Sequence, residues 1–134
     1  MQVRADIRFA GDDLFEVKTT PTEVAFHIDK KKENKVALGP NSLELFISSL
    51  GGCLGVYAER YLRRHEIEFK ILKISVDAEL SSDTPTRLVN IKINLFTDAQ
   101  LRDKKDVFLR FIKNCPVHNT VLHTKEVNIV LNQD

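Results

Sequence analysis

Leu43, Phe46, Ile47, Leu50, Leu54, Tyr57, Ala58, Tyr61 and Leu62 recur at three- and four-residue steps, the spacing that gives an α-helix one apolar face. Sustained beyond the breaker Gly39-Pro40, this pattern predicts a helix of about six turns. Both ends carry matching signals. Asn41 followed three residues later by Glu44 reads as a capping box, and Arg60, Arg63, Arg64 and His65 put positive charge near the C-terminus, where the helix dipole favours it. Gly51-Gly52 falls in mid-helix, where each glycine costs on the order of 1 kcal/mol relative to alanine. Close approach of another backbone, such as a partner helix, would account for the pair.

On either side of the helix the period drops to two. Val3, Ala5, Ile7 and Phe9 alternate with Arg4, Asp6 and Arg8, Gly11-Asp12-Asp13 supplies a turn, and LFEVKTT and TEVAFHID read as two further strands separated by Pro21. With Lys30 to Lys35 as a polar turn, the opening is expected to be a three-stranded meander. Downstream, residues 68–80 alternate as a strand, SSDTPT reads as a loop and RLVNIKINLFT as its antiparallel partner. A second amphipathic helix is expected from an N-cap at Asp98 through Leu101, Lys105, Phe108, Phe111, Ile112 and Cys115, and Pro116 must end it. VNIVL closes the chain as a final short strand. The order of N-terminal antiparallel strands, long helix, β-hairpin, second helix and last strand is that of an α+β domain, and 134 residues are the length of one.

Charge narrows the functional classes. Twenty Lys and Arg against nineteen Asp and Glu give a net charge of +1, so no global field gathers nucleic acid or an anionic membrane. The Lys30-Lys31-Lys32 run lacks interleaved aromatics and reads as a solvated turn. No apolar run approaches the roughly 20 residues of a membrane-spanning helix, and the charged start MQVRADIRFAGDD is unlike a signal peptide. These readings lead to an expected cytoplasmic location, with neither nucleic acid nor membrane as partner.

Two cysteines remain as the place to look for chemistry. Free cysteine is among the most buried residue types, so either one is compatible with a packing role. Their settings argue for more, because Gly-Gly-Cys53 in mid-helix and Cys115-Pro116 at a helix end are places where packing alone would favour Ala or Leu. A metal site is the competing reading, since Cys115, His118 and His123 form a C-x2-H-x4-H run that Cys53 would complete. Pro116 and Asn119 favour instead a His118 that caps or hydrogen-bonds within a turn.

GPNSLELFISSLGGC and CPVHNT resemble, in order and placement, the two motifs of the osmotically induced protein C and organic hydroperoxide resistance family (OsmC/Ohr). The resemblance covers essentially the whole chain. It implies an OsmC-like fold, an intertwined homodimer and a thiol-dependent peroxidase that needs no cofactor or metal. Its substrate would be an organic hydroperoxide and its reductant an external dithiol. It further implies that Cys53 attacks the peroxide and Cys115 resolves the resulting sulfenic acid. In the family an arginine of the N-terminal strands activates the attacking thiol, braced by a glutamate at the start of the long helix. Arg4 and Arg8 are both candidates for the arginine, and Arg60, seven residues beyond Cys53 on the same helical face, is a third. The brace departs from the organic hydroperoxide branch, where the glutamate precedes the cysteine by ten residues. Position 43 here is Leu, and Glu44 lies nine before Cys53, on the opposite side of an ideal helix at about 100° per residue. The offset resembles the OsmC-like branch, with weaker peroxidase activity or a different substrate, and it leaves open a carrier without turnover.

Overall fold

The structure is a computed structural model that describes residues 1–30 and 32–133; Lys31, within the expected polar turn, and Asp134 lie outside the described residues. The chain divides into two compact units, Met1–Phe46 and Ile47–Asp134.

The first unit holds the expected meander. Strands β1 (Arg4–Phe9), β2 (Phe15–Thr20) and β3 (Ala25–Ile28) form an antiparallel sheet in the order β1-β2-β3. Ile7 pairs with Val17 and Val17 with Phe26, which puts the one buried strand residue at the centre of the sheet. Gly11, Asp12 and Asp13 turn the chain with positive φ of 92°, 53° and 61°, a conformation that Gly and Asp tolerate better than other residues. Lys32 pairs with Asp12 and, at 3.3 Å, with Asp13, while Lys35 reaches Asp12 at 2.8 Å. These contacts tie the β1–β2 turn to the segment after β3. The buried carboxylate of Asp29 accepts the Leu38 N–H at 2.9 Å, and the Asp29 N–H donates to the Pro40 carbonyl at 3.0 Å. Gly39 is required here, because a Cβ at that position would lie 1.9 Å from the His27 carbonyl oxygen.

Helix α1 (Ser42–Arg64) has the length that the periodicity predicts. Its capping box is formed in both directions: the Glu44 N–H donates to Asn41 Oδ1 at 2.9 Å, and the Asn41 N–H to Glu44 Oε1 at 3.0 Å. At the other end Glu66 is left-handed (φ 53°), with Ile67 N–H on Leu62 O at 2.9 Å and Glu66 N–H on Arg63 O at 3.2 Å. That pairing is a Schellman stop without its usual glycine.

In the second unit α1 buries Leu50, Leu54, Ala58, Tyr61 and Leu62 against Phe108, Ile112 and Cys115. Full burial of side chains such as Leu62 and Phe108 stabilises by about 1.5–3 kcal/mol each. Tyr61 meets Phe108 edge-on at 5.3 Å and Phe111 at 5.4 Å. The hairpin of β4 (Leu72–Leu80) and β5 (Leu88–Thr97) contributes Leu72, Ile74, Ile93 and Leu95 to the same core. Helix α2 (Lys105–Ile112) follows a 3-10 turn at Arg102–Lys104, and α3 (Pro116–His123) follows α2.

Three local expectations are corrected. Asp98 does not cap the second helix; its carboxylate accepts the Lys70 and Ile71 N–H groups at 2.9 Å each, a use of the same acceptor by backbone distant in sequence. Pro116 does more than end the second helix, because it also takes the first position of a further one, α3, that the sequence reading did not expect. Residues 124–133 form no strand; Val127, Ile129 and Leu131 are 84%, 92% and 82% exposed, since an alternating segment becomes a strand only where a sheet edge accepts it. The glycine pair also divides. A Cβ at Gly51 would lie 2.9 Å from Val76 Cγ2, so the close approach is to the chain's own β4, whereas a Cβ at Gly52 would meet nothing within 4 Å.

Candidate functional site

Cys53 occupies the middle of α1 beside the core stripe, half-buried, and packs against the cluster that contains Leu50, Leu54 and Cys115. Cys115 is wholly buried, at 0% exposure. Pro116 positions it, by stopping the chain from continuing α2 and by taking the first position of α3, where its missing N–H has no intrahelical partner to lose. Cys115 thereby becomes the N-cap of α3, with Sγ accepting the His118 N–H at 3.4 Å. Proline at the first helical position is the sequence signal for this helix that a reading of Pro116 as a terminator alone overlooks.

The two thiols, from α1 and from the start of α3, meet in one apolar cluster, close enough for Cys53 to bear on the ionisation of Cys115. Burial pushes the Cys115 thiol above its ordinary range, and the neighbouring Cys53 thiol raises it further, while the N–H groups of His118 and Val117 oppose the shift. The surroundings of Cys115 therefore favour a retained proton.

Around the pair the environment is aromatic. Tyr57, one turn after Cys53 on α1, packs against the same core and lies 5.9 Å from the Phe111 ring. The Arg60 guanidinium stacks over Tyr57 at 4.8 Å, and that of Arg64 over Phe111 at 5.9 Å. His118, half-buried, has its Nδ1 atom fully enclosed with no hydrogen-bond partner.

The other candidates from the sequence sit in the first unit with partners of their own. Arg4 pairs with Asp6 at 2.8 Å, Arg8 with Glu16 at 3.6 Å, and Glu44 closes the capping box with Asn41. Among the described residues, no three His, Cys, Asp or Glu side chains gather to hold a metal ion. The Cys115, His118 and His123 run is thus not assembled as a metal site; His118 and His123 lie five residues apart on α3, about 140° apart around a helix. No helix among the described residues is long and apolar enough to cross a membrane.

Known structures share this architecture. An OsmC-like protein from Mycoplasma pneumoniae is 17% identical with a TM-score of 0.78, over 92% of this chain and 89% of that one. An OsmC-like protein of unknown function from Vibrio cholerae is 8% identical with a TM-score of 0.74, over 90% and 93%. The organic hydroperoxide resistance protein OhrB of Bacillus subtilis is 16% identical with a TM-score of 0.63, over 92% and 93%. At these identities the likeness establishes the α+β OsmC-like fold, with antiparallel strands and a long central helix. No curated protein sequence matches the chain. The family described as OsmC-like protein matches residues 30–130, which include both cysteine motifs, and the chain belongs to that family.

Proposed function

We propose that the chain is a thiol-dependent peroxidase that reduces organic hydroperoxides, with Cys53 as the attacking and Cys115 as the resolving cysteine. The observation that carries this reading is the thiol pair itself: the more open cysteine lies in mid-helix, packed against the cluster that holds the wholly buried one. The structural relative from Bacillus subtilis, an organic hydroperoxide resistance protein, supports the choice of substrate.

In the first step the Cys53 thiolate attacks the terminal oxygen of ROOH. The O–O bond breaks, RO⁻ takes a proton and leaves as ROH, and Cys53 becomes a sulfenic acid. Cys115 then attacks the Cys53 sulfur, forming the S–S bond and breaking S–O, and water leaves. An external dithiol returns the pair to the reduced state by exchange. A cationic group beside Cys53 favours its thiolate. Arg4 or Arg8, from the strands, and Arg60, on the same helix, are the candidates, with Glu44 as the acidic partner at the start of α1. The active form in this reading is a cytoplasmic homodimer. Exposed Ile7, Phe9, Val127, Ile129 and Leu131 supply apolar surface for a second copy to cover.

Iodoacetamide mapping by mass spectrometry, before and after one equivalent of tert-butyl hydroperoxide, tests the reading. Both cysteines alkylate in the unfolded reduced protein, and after peroxide both are protected together in one Cys53–Cys115 linked peptide. A carrier without turnover leaves both open to alkylation.

A further inference from the structure

Between the end of β5 and the start of α2 lies a cavity of about 530 Å³ that neither cysteine lines. Its volume falls within the range of small-molecule sites, roughly 300–1,000 Å³. Leu95 of β5, Ala99 and Leu101 of the connecting segment, and Phe108 and Leu109 of α2 form apolar walls. Phe108 is a buried member of the core and Leu95 packs against that core, so one side of the cavity is fixed by the packing of the domain. The Ala99 N–H donates to Thr97 Oγ1 at 3.1 Å in the bend that follows β5. The charged lining consists of Arg102 and Lys105, with no carboxylate. Among the described residues neither cation enters an ion pair. The cavity of about 820 Å³ beside the end of α1 differs, since Glu66, Glu68 and Asp98 line it together with Arg63 and Lys70. Arg102 also holds a left-handed backbone, φ 53°, a conformation disfavoured for a residue with a Cβ and often found where a ligand is clamped.

We propose that this cavity binds a free aliphatic carboxylate, its chain against the apolar walls and its head group at Arg102 and Lys105. The walls alone would accept any hydrocarbon, and the two cations select among them, because a carboxylate takes charge-assisted hydrogen bonds from guanidinium and ammonium groups. A neutral lipid leaves both cations without a counter-charge, and a small inorganic anion leaves the apolar walls wet. With a net charge of +1 the chain has no global field to gather anions, so the selection is local to these two residues. A second copy of the chain, as the occupant, would have to bring carboxylates of its own to the same place. The site stands apart from the thiol chemistry, and binding there requires no turnover.

The test is titration of the full-length, 15N-labelled protein with decanoate below its micellar concentration, followed by amide chemical shifts, with decanol as the uncharged probe of the same chain length. Decanoate should saturate one site per chain and move the amide signals of residues 95–109, and decanol should bind about tenfold more weakly. The double variant Arg102→Gln, Lys105→Gln changes two exposed side chains and should lose about tenfold in decanoate affinity while its decanol affinity stays unchanged. Leu109→Asn should weaken both probes. Equal affinity for the two probes in wild type overturns the proposal, as does full decanoate affinity in the double variant. Shifts centred on Cys53 and Cys115 instead of residues 95–109 overturn it as well. So does the absence of saturable binding, and signals of residues 95–109 that move with protein concentration alone would then identify a second copy of the chain as the occupant.

Discussion

The sulfur of Cys115 accepts the His118 N–H at 3.4 Å, which makes one atom both a member of the thiol pair and the N-cap of α3. In the proposed peroxidase cycle, redox chemistry and helix stability would therefore meet at this residue. Cys115→Ser keeps a capping oxygen and Cys115→Ala keeps none, so urea denaturation should find the alanine variant less stable by about 1 kcal/mol. Neither can form the disulfide. Equal stability of the two would show that the sulfur does not cap.

Gly51 and Gly52 should respond in opposite senses to alanine. A Cβ at Gly51 would lie 2.9 Å from Val76 Cγ2, and overpacking of a helix against its sheet costs about 1–3 kcal/mol. At Gly52 the space is open, and the gain in helix propensity should stabilise by up to about 1 kcal/mol. Thermal melts of the two variants test this, and a destabilised Gly52→Ala would point back to a second backbone at that position.

The long helix, its capping box and the two sheets were legible because each rests on local physics: period, capping pair and turn residues. Asp98 was misread because an N-cap and an acceptor for the distant Lys70 and Ile71 amides use the same carboxylate, and the sequence does not rank them. The helix after Cys115 was missed for a related reason, as proline is compatible with both an end and a beginning. VNIVL has strand alternation without a strand, because pairing needs an edge that no local pattern specifies. At the site, the two cysteines stood out by context, whereas the enclosed Nδ1 of His118 is a property of packing alone.

Asp29 is 4% exposed and holds the Leu38 N–H at 2.9 Å. Asp29→Ala leaves that donor unsatisfied and should cost about 1–3 kcal/mol. Gly39→Ala, with its Cβ 1.9 Å from the His27 carbonyl oxygen, should be at least as damaging. Chemical denaturation of both variants checks the expectation, and a neutral Gly39→Ala would contradict the close approach.

Acid should weaken the fold through two exposed carboxylates. Lys32 and Lys35 hold Asp12 down to about 2, and the Ile71 and Lys70 N–H groups lower Asp98. A depressed folded pKa gives stability that is present above the unfolded value near 3.9. For Asp12 it is lost as pH falls from about 4 through about 2. Lys32, raised chiefly by its bond to Asp12, acts in the other direction and loses its contribution as pH rises through its folded value. Melting temperatures between pH 5 and pH 2 should fall less steeply in Asp12→Asn and Asp98→Asn than in wild type, and parallel curves would contradict both assignments.

The central claim is that Cys53 reduces a peroxide and Cys115 resolves it, and the most direct measurement is stopped-flow consumption of tert-butyl hydroperoxide in the presence of dithiothreitol. Wild type should turn over many equivalents, and Cys53→Ser should fall to the rate of free dithiol. Cys115→Ser should retain the first attack and then inactivate as Cys53 passes from sulfenic to sulfinic acid. Consumption by wild type no faster than by dithiothreitol alone, or a Cys53→Ser variant as active as wild type, would contradict the account.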